Sequence, residues 1–510
     1  MKKVLTIVLV SILLVSCSTI RNPNDPFRTY EKAMTCDQIP NSVPSIEGGT
    51  AACGNTVVEH HENHSIGYIE FTERGNLFSD SRTKFVLNEI SKEAKSEKGV
   101  AVVVFVHGWK HNSRADDSNV IEFNELLDQF AANELLGSSN RKVYGVYVGW
   151  RGSSYPWGWL ENLTFWDRKA VAEEVGAGGV TSVLTQLQSL LVVKDDQRRA
   201  GFKKQINGAR AQPFGDNSLL IIGHSFGAAI VLSSLSDVYV NSLAKTYASR
   251  DETKKISCEN INRFADGVVL LNPAIEANLI FPIKELASNC QFGDNQPRIM
   301  HVISSDADVA TKWAFPAGQW LDLILTANQD ELDRTIAGQE LKINENHLDM
   351  QTVGNLELFR TGYFKKGSEV GYDWTYSSCS DSLEGCELKS QFQIDNHIPV
   401  KSNNPIVFLK TDGAFMSGHN DVFNCAVKSY VSTIVIENQA RVGGNKPNTQ
   451  QMTGCEFNSA KDLKNNDFGK CFTSQLKALE ISRAQSCKSC LDKVCVERYC
   501  TVDCAGKKLM

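Results

Sequence analysis

Ten residues constrain this chain more than any others: Leu219-Leu220-Ile221-Ile222-Gly223-His224-Ser225-Phe226-Gly227-Ala228. An apolar run that reads as a strand passes into Gly-x-Ser-x-Gly, and a helix rich in small residues follows at once. That order predicts a sharp strand-to-helix turn holding the Ser225 hydroxyl clear of a sheet. Gly223 and Gly227 suit it because the two backbones come too close for a Cβ at either position. The first amides of the helix also direct positive dipole at any oxyanion forming beside Ser225.

The surrounding pattern sets the fold class. Val100 to Val106 is an unbroken apolar, β-branched run, as expected of a strand buried on both faces of a parallel sheet. Further strands are expected at His64–Phe71, Val143–Trp150, Val268–Leu271, Ile299–Ser304 and Ile406–Leu409, with helices around 81–96, 118–136, 166–200 and 226–248. Strands alternating with helices over 64–435 predict an α/β domain with a mostly parallel central sheet flanked by helices. An insertion of about 311–403 precedes the last strand and exceeds what a minimal sheet needs. Its apolar cluster (Trp313, Phe315, Trp320, Leu321, Leu323) suits a helix packed on the core, or a lid.

Both ends of the chain fall outside that pattern. Residues 1–17 have a basic start, Lys2-Lys3, and a short apolar run from Val4 to Val15. They end in Leu14-Val15-Ser16-Cys17, which resembles the lipobox of bacterial lipoproteins. The resemblance implies cleavage before Cys17, acylation of Cys17 and firm anchoring in the bacterial cell envelope, with Ser18 favouring the outer membrane. No later stretch reads as a membrane span. Residues 18–63 read as a tether and a cysteine-clipped arm; His60, His61 and His64 could ligate a metal, but the polar context favours an exposed loop. Removing Cys17 leaves fourteen of the 15 cysteines, which suits disulfides in an oxidising compartment. Cys36 with Cys53, Cys258 with Cys290 and Cys379 with Cys386 are candidate pairs. Residues 436–510 read as a cysteine-rich tail whose spacing favours disulfide staples over zinc. A net charge of −6 and the absence of a basic block argue against a nucleic-acid partner.

Partners for Ser225 occur in the order that its chemistry requires. Val100–Val106 ends in His107-Gly108-Trp109, where the amides of Trp109 and Phe226 are candidates for an oxyanion hole, with His107 bracing the loop. His419, in the turn-rich segment after Ile406–Leu409 and ahead of a helix expected near Val422, is the candidate general base; His397 is the runner-up. His224 should point away from Ser225. Asp308 is the candidate acid that orients the imidazole, with Asp306 as alternative and Glu276 as a third; either aspartate could instead cap the helix that follows. Arg151 could bind an anionic substrate group or form a structural ion pair.

From about 64 to 435 the chain resembles an α/β-hydrolase-fold serine hydrolase. The matching stretches are Val104 to Trp109, Val146 to Gly152, the Gly-x-Ser-x-Gly turn, and Asp308 through Phe315-Pro316. The resemblance implies a Ser225–His419–Asp308 triad that cleaves a small-molecule or lipid ester without a metal or cofactor. The alternative is an envelope lipoprotein that uses the same scaffold to bind a partner without catalysis.

Overall fold

The computed structural model describes residues 27–28, 45–47, 50–52 and most of 56–435; 153–164, 192–216, 248–257, 317–326, 367–373 and 379–403 are the longest stretches outside that description. The signal segment with Cys17, the pairs Cys36–Cys53 and Cys379–Cys386, His397, most of the apolar cluster at 313–325 and the tail after 435 therefore lie outside the described residues.

Short strands β1 (Ser45–Glu47) and β2 (Thr50–Ala52) pair with each other. The central sheet begins with β3 (Val58–His60), β4 (His64–Glu70), β5 (Val100–Val106), β6 (Lys142–Gly149), β7 (Ser218–His224), β8 (Gly267–Leu271) and β9 (Met300–Ser305). A hairpin, β10 (Leu332–Ile336) and β11 (Gln339–Ile343), stands apart, and β12 (Gly362–Lys366), β13 (Trp374–Ser378) and β14 (Ile406–Thr411) complete the set. The ten-stranded order is β13-β12-β14-β9-β8-β7-β5-β6-β4-β3. Every pairing from β12 across to β4 is parallel, and β13 and β3 run antiparallel at the edges. The fold is thus α/β with a mostly parallel central sheet.

Alternate residues of the strands serve two cores, the arrangement a parallel sheet needs when helices cover both faces. In β5, Val100, Val102, Val104 and Val106 join one cluster while Ala101, Val103 and Phe105 join the other. The first core is closed by α1 (Asp80–Ala94), α3 (Phe165–Val175, continuing through a π-helical turn at Gly176–Val180 into 181–191), α4 (Phe226–Tyr247) and α5 (Ala277–Ser288). The second is closed by α2 (Ser118–Leu136) and a helix within 427–435. A further short helix, α6 (Glu345–Met350), packs beside α5. By length and hydropathy Phe226–Thr246 could cross a bilayer, contrary to expectation, yet most of it is buried inside the sheet–helix core.

Four expectations need correction. The sheet starts at β3 and not at residue 64, and the arm is locked to it: Arg28 is fully buried, donating to Thr56 O and pairing with Glu59. His64 is a buried strand residue bonded to Asp128 and Asn124 at 3.0 Å each, so the exposed-loop reading fails for His64, while His60 stays exposed on β3 and bonds Ser65. Part of the insertion belongs to the sheet, because β12 adds in parallel beside β14 and brings β13 with it. Phe315 of the insertion's apolar cluster is core. The last helix is described from Val427, with the Asn424 side chain accepting from Val427 N, and residues 421–424 are not helical, so it does not begin at Val422. A disulfide joins Cys258 to Cys290, as one candidate pairing anticipated.

One buried group works against stability. Lys284 of α5 is fully buried, its Nζ has no hydrogen-bond partner among the described residues, and it stands 5.2 Å from the centre of the Phe408 ring. Burial pushes its pKa down from 10.5 to about 7. The unfolded chain therefore binds the extra proton between those two values, and stability rises with pH across that window. Lys284→Met should raise stability by roughly a few kcal/mol near neutral pH, with the gain shrinking toward about pH 10. Denaturant unfolding at the two pH values checks this; a variant less stable at both contradicts it.

Candidate active site

The direction of the chain changes at the middle of the sheet. It leaves β5 for β6 on one side and β7 for β8 on the other, so the loops part at the carboxyl ends of β5 and β7. Such a switch point opens a crevice beyond the strand ends. Ser225 directly follows β7 there.

Local geometry lifts Ser225 out of the sheet. Its φ is +56°, a left-handed conformation costly for a side chain with a Cβ. The turn is held by Ser225 N–H donating to Leu271 O at 3.0 Å and by Ser225 O accepting from Ala228 N at 3.1 Å. The two glycines answer to contact as the sequence suggested. A Cβ on Gly227 would lie 2.0 Å from Val106 O, and one on Gly223 would lie 2.7 Å from Ala228 Cα. Lys110 and Asn272 are the other non-glycine residues with positive φ among the described residues, and both lie in neighbouring loops at the same end of the sheet. Backbone strain is concentrated around this serine.

Loops after three strands converge on one hydrogen-bonded line. His419 Nε2 is 2.9 Å from Ser225 Oγ, and His419 Nδ1 is 2.9 Å from Asp308 Oδ2. These partners fix the tautomer: Nδ1–H donates to the carboxylate and Nε2 accepts a hydrogen bond from the Ser225 hydroxyl. Asp308 is fully buried, while the His419 side chain keeps 22% of its surface exposed and opens the line to solvent. Burial alone would raise the Asp308 pKa, but hydrogen bonds from His419 and Thr311 outweigh it and hold the group below its usual value. Capping and orienting prove compatible, since Asp308 Oδ1 accepts from the Ala310 and Thr311 amides while Oδ2 faces the imidazole.

The rival acids are placed elsewhere. Asp306 is half exposed and lies 3.5 Å from Lys410 Nζ. Glu276 pairs with Lys169. Arg151 is buried 3.8 Å from Glu73, which supports the structural ion-pair reading.

The β5 loop lies against Ser225 on the opposite side. A Cβ on Gly108 would come 2.9 Å from Ser225 Cβ; Trp109 follows that glycine, and Phe226 follows the serine. His107 braces this loop as expected. Its Nδ1–H donates to Gly108 O at 2.9 Å, its Nε2 accepts from Trp150 N at 3.1 Å, and its ring stacks on Trp150. Burial drives its pKa down to about 4, so it stays neutral. Further along, Asp117 ties His111, Asn112 and Asn119 together, and Lys110 N–H donates to Gly152 O.

Sequence reasoning missed two residues that hold His419. Asn272 Nδ2 donates to Gly418 O at 3.1 Å and to His419 O at 3.0 Å, while its Oδ1 accepts from Ser305 N at 3.0 Å. His224 does not simply point away; its Nε2–H donates to His419 O at 2.9 Å. Burial, reinforced by the nearby His419, keeps the His224 pKa well below the usual histidine range. The adjacent Gly-x-Ser-x-Gly and Asn272-Pro273 hinted at tight turns, but nothing in the sequence paired these residues with a carbonyl about 150 to 200 positions away.

Among the described residues no group of three or more His, Cys, Asp or Glu side chains is arranged to hold a metal ion. Comparison with protein-family models, curated proteins and solved structures found no match for this chain.

Removing the two donors should loosen the loop they hold. Asn272→Leu and His224→Phe should each speed amide hydrogen exchange in 417–421, and His224→Gln, which keeps a donor, should speed it less. Unchanged exchange in both apolar variants contradicts the assigned support.

Proposed function

We propose that the chain is a serine hydrolase of the α/β-hydrolase type that cleaves a carboxylic ester, carried on the bacterial cell envelope through acylated Cys17. The observation that carries this reading is the continuous Ser225–His419–Asp308 line, with both links at 2.9 Å. Its chain order, Ser then Asp then His, follows that of the α/β-hydrolase sites.

The steps follow from the geometry. His419 Nε2 takes the Ser225 proton as Oγ attacks the ester carbonyl, while Asp308 stabilises the imidazolium that forms. Negative charge gathers on the carbonyl oxygen, and the amides of Trp109 and Phe226 are assigned to receive it. Collapse of the tetrahedral intermediate expels the alcohol, which leaves with the proton from Nε2, and an acyl-Ser225 ester remains. Water then enters, His419 takes its proton, and a second collapse frees the acid and restores the serine. These steps draw on the named groups and water alone. The Cys258–Cys290 disulfide suits an oxidising compartment and so supports export.

A fluorophosphonate probe should label the wild type and not Ser225→Ala; equal labelling of both, or of neither, overturns the assignment. On a short-chain ester, Asp308→Asn should lower kcat by about 10⁴-fold through the wrong imidazole tautomer. Asp306→Asn should leave kcat nearly unchanged, and a reversal of these two results moves the acid to residue 306.

A further inference from the structure

We infer that the face carrying Ser225 is turned toward the lipid surface holding Cys17, and that the ester cleaved there belongs to a lipid of that surface. The lipid substrate rests on the hydrolase reading; the orientation rests only on the acylation of Cys17.

The described chain enters the fold at Phe27 and Arg28. Arg28 N–H donates at 2.6 Å to Glu70, the last residue of β4, and its Nη1 donates to Ser113 O in the loop after β5. Its Nε donates to Thr56 O, and because β3 runs antiparallel to β4, Thr56 lies at that same end. The guanidinium also pairs with Glu59 and sits 3.7 Å over the Tyr68 ring. Phe27 is buried, with its ring 4.3 Å from that of Phe78. The chain therefore joins the domain at the carboxyl ends of the parallel strands, the end on which Ser225 stands.

Distances then limit how the domain can lie. In the sheet order only β6 and β5 separate β4 from β7. Three interstrand steps place the chain's entry about 14 Å from Ser225 along the sheet. The ten residues from Cys17 to Phe27 reach at most about 36 Å even when fully extended. A domain of this size is roughly 50 Å across. An anchor so short, attached at the carboxyl end, draws that end toward the surface.

The same end presents apolar side chains to solvent. Phe85, Leu279 and Val309 are the large apolar residues left exposed among the described residues. Val309, 66% exposed, directly follows Asp308, and Leu279, 48% exposed, lies in the first turn of α5 beyond β8. A lone exposed apolar residue is ordinary. Two on the loop end that the anchor pulls inward fit contact with a lipid surface, which would bring the scissile carbonyl of a membrane lipid to the open side of His419.

The test uses the full chain, purified from membranes and reconstituted in vesicles of phosphatidylethanolamine and phosphatidylglycerol. A photoreactive benzophenone side chain is placed either at Leu279 or at exposed Lys98, which precedes β5 at the opposite end. Irradiation should give lipid adducts several-fold more often from position 279 than from 98. Equal yields, a reversed ratio, or a mature chain without acyl groups on Cys17 overturns the orientation. Fatty acid should be released from the vesicle lipid by wild type and not by Ser225→Ala. Turnover of a soluble ester without that release overturns the lipid substrate alone. Adducts at 279 with no turnover of either ester overturn the hydrolase reading and leave the orientation standing.

Discussion

Two hydrogen bonds through one imidazole, that of His419, join three distant parts of the chain. His419 can reach Ser225 and Asp308 simultaneously only because β7, β9 and β14 run parallel in register, with β9 and β14 ending together two residues beyond β7. The register makes this concrete. Ile303 stands opposite both Leu271 and Leu409, so the loops carrying the three groups leave the sheet from adjoining heights. Between β7 and β9, β8 supplies Asn272, which ties the His419 loop to the start of the Asp308 loop through Gly418 O, His419 O and Ser305 N. A slip of one strand would separate all of these groups.

Much of the polar structure around the line is preparation. Positive φ at Ser225, Lys110 and Asn272 costs on the order of 1–3 kcal/mol each. Two cores built from alternate residues of the same strands supply the rigidity that keeps this strain in place. Buried His107 and His224 are both held neutral, so each acts as a hydrogen-bonding wedge and not as a competing base. His107 fixes the β5 loop to Trp150, and His224 fixes the β14 loop from behind. The Ser225 turn thus carries one buried imidazole of its own, His224, and has a second, His107, on the neighbouring β5 loop.

The strands and the three line-forming residues were legible because they follow local rules. β-branched runs such as Val100–Val106 can hardly be anything but buried strand, and Gly-x-Ser-x-Gly dictates its own turn. Asp308 against Asp306 could not be decided locally, since two residues of loop length determine which carboxylate turns inward and which meets Lys410. The support from Asn272 and His224 was hidden because it acts on backbone carbonyls, which leave no trace in side-chain patterns. β12 escaped for a similar reason: Gly362–Lys366 is polar enough to read as loop, and its place beside β14 comes from pairing across about forty residues of chain. The burial of His64 leaves no local trace because it depends on Asp128 and Asn124 of a distant helix.

The most direct measurement of the central claim is a crystal structure of the protein after reaction with a fluorophosphonate ester. Phosphorus should be bonded to Ser225 Oγ, with its phosphoryl oxygen about 2.7–3.1 Å from the amides of Trp109 and Phe226. His419 should keep its Nδ1 on Asp308. An adduct on another residue, or a phosphoryl oxygen turned away from both amides, contradicts the claim.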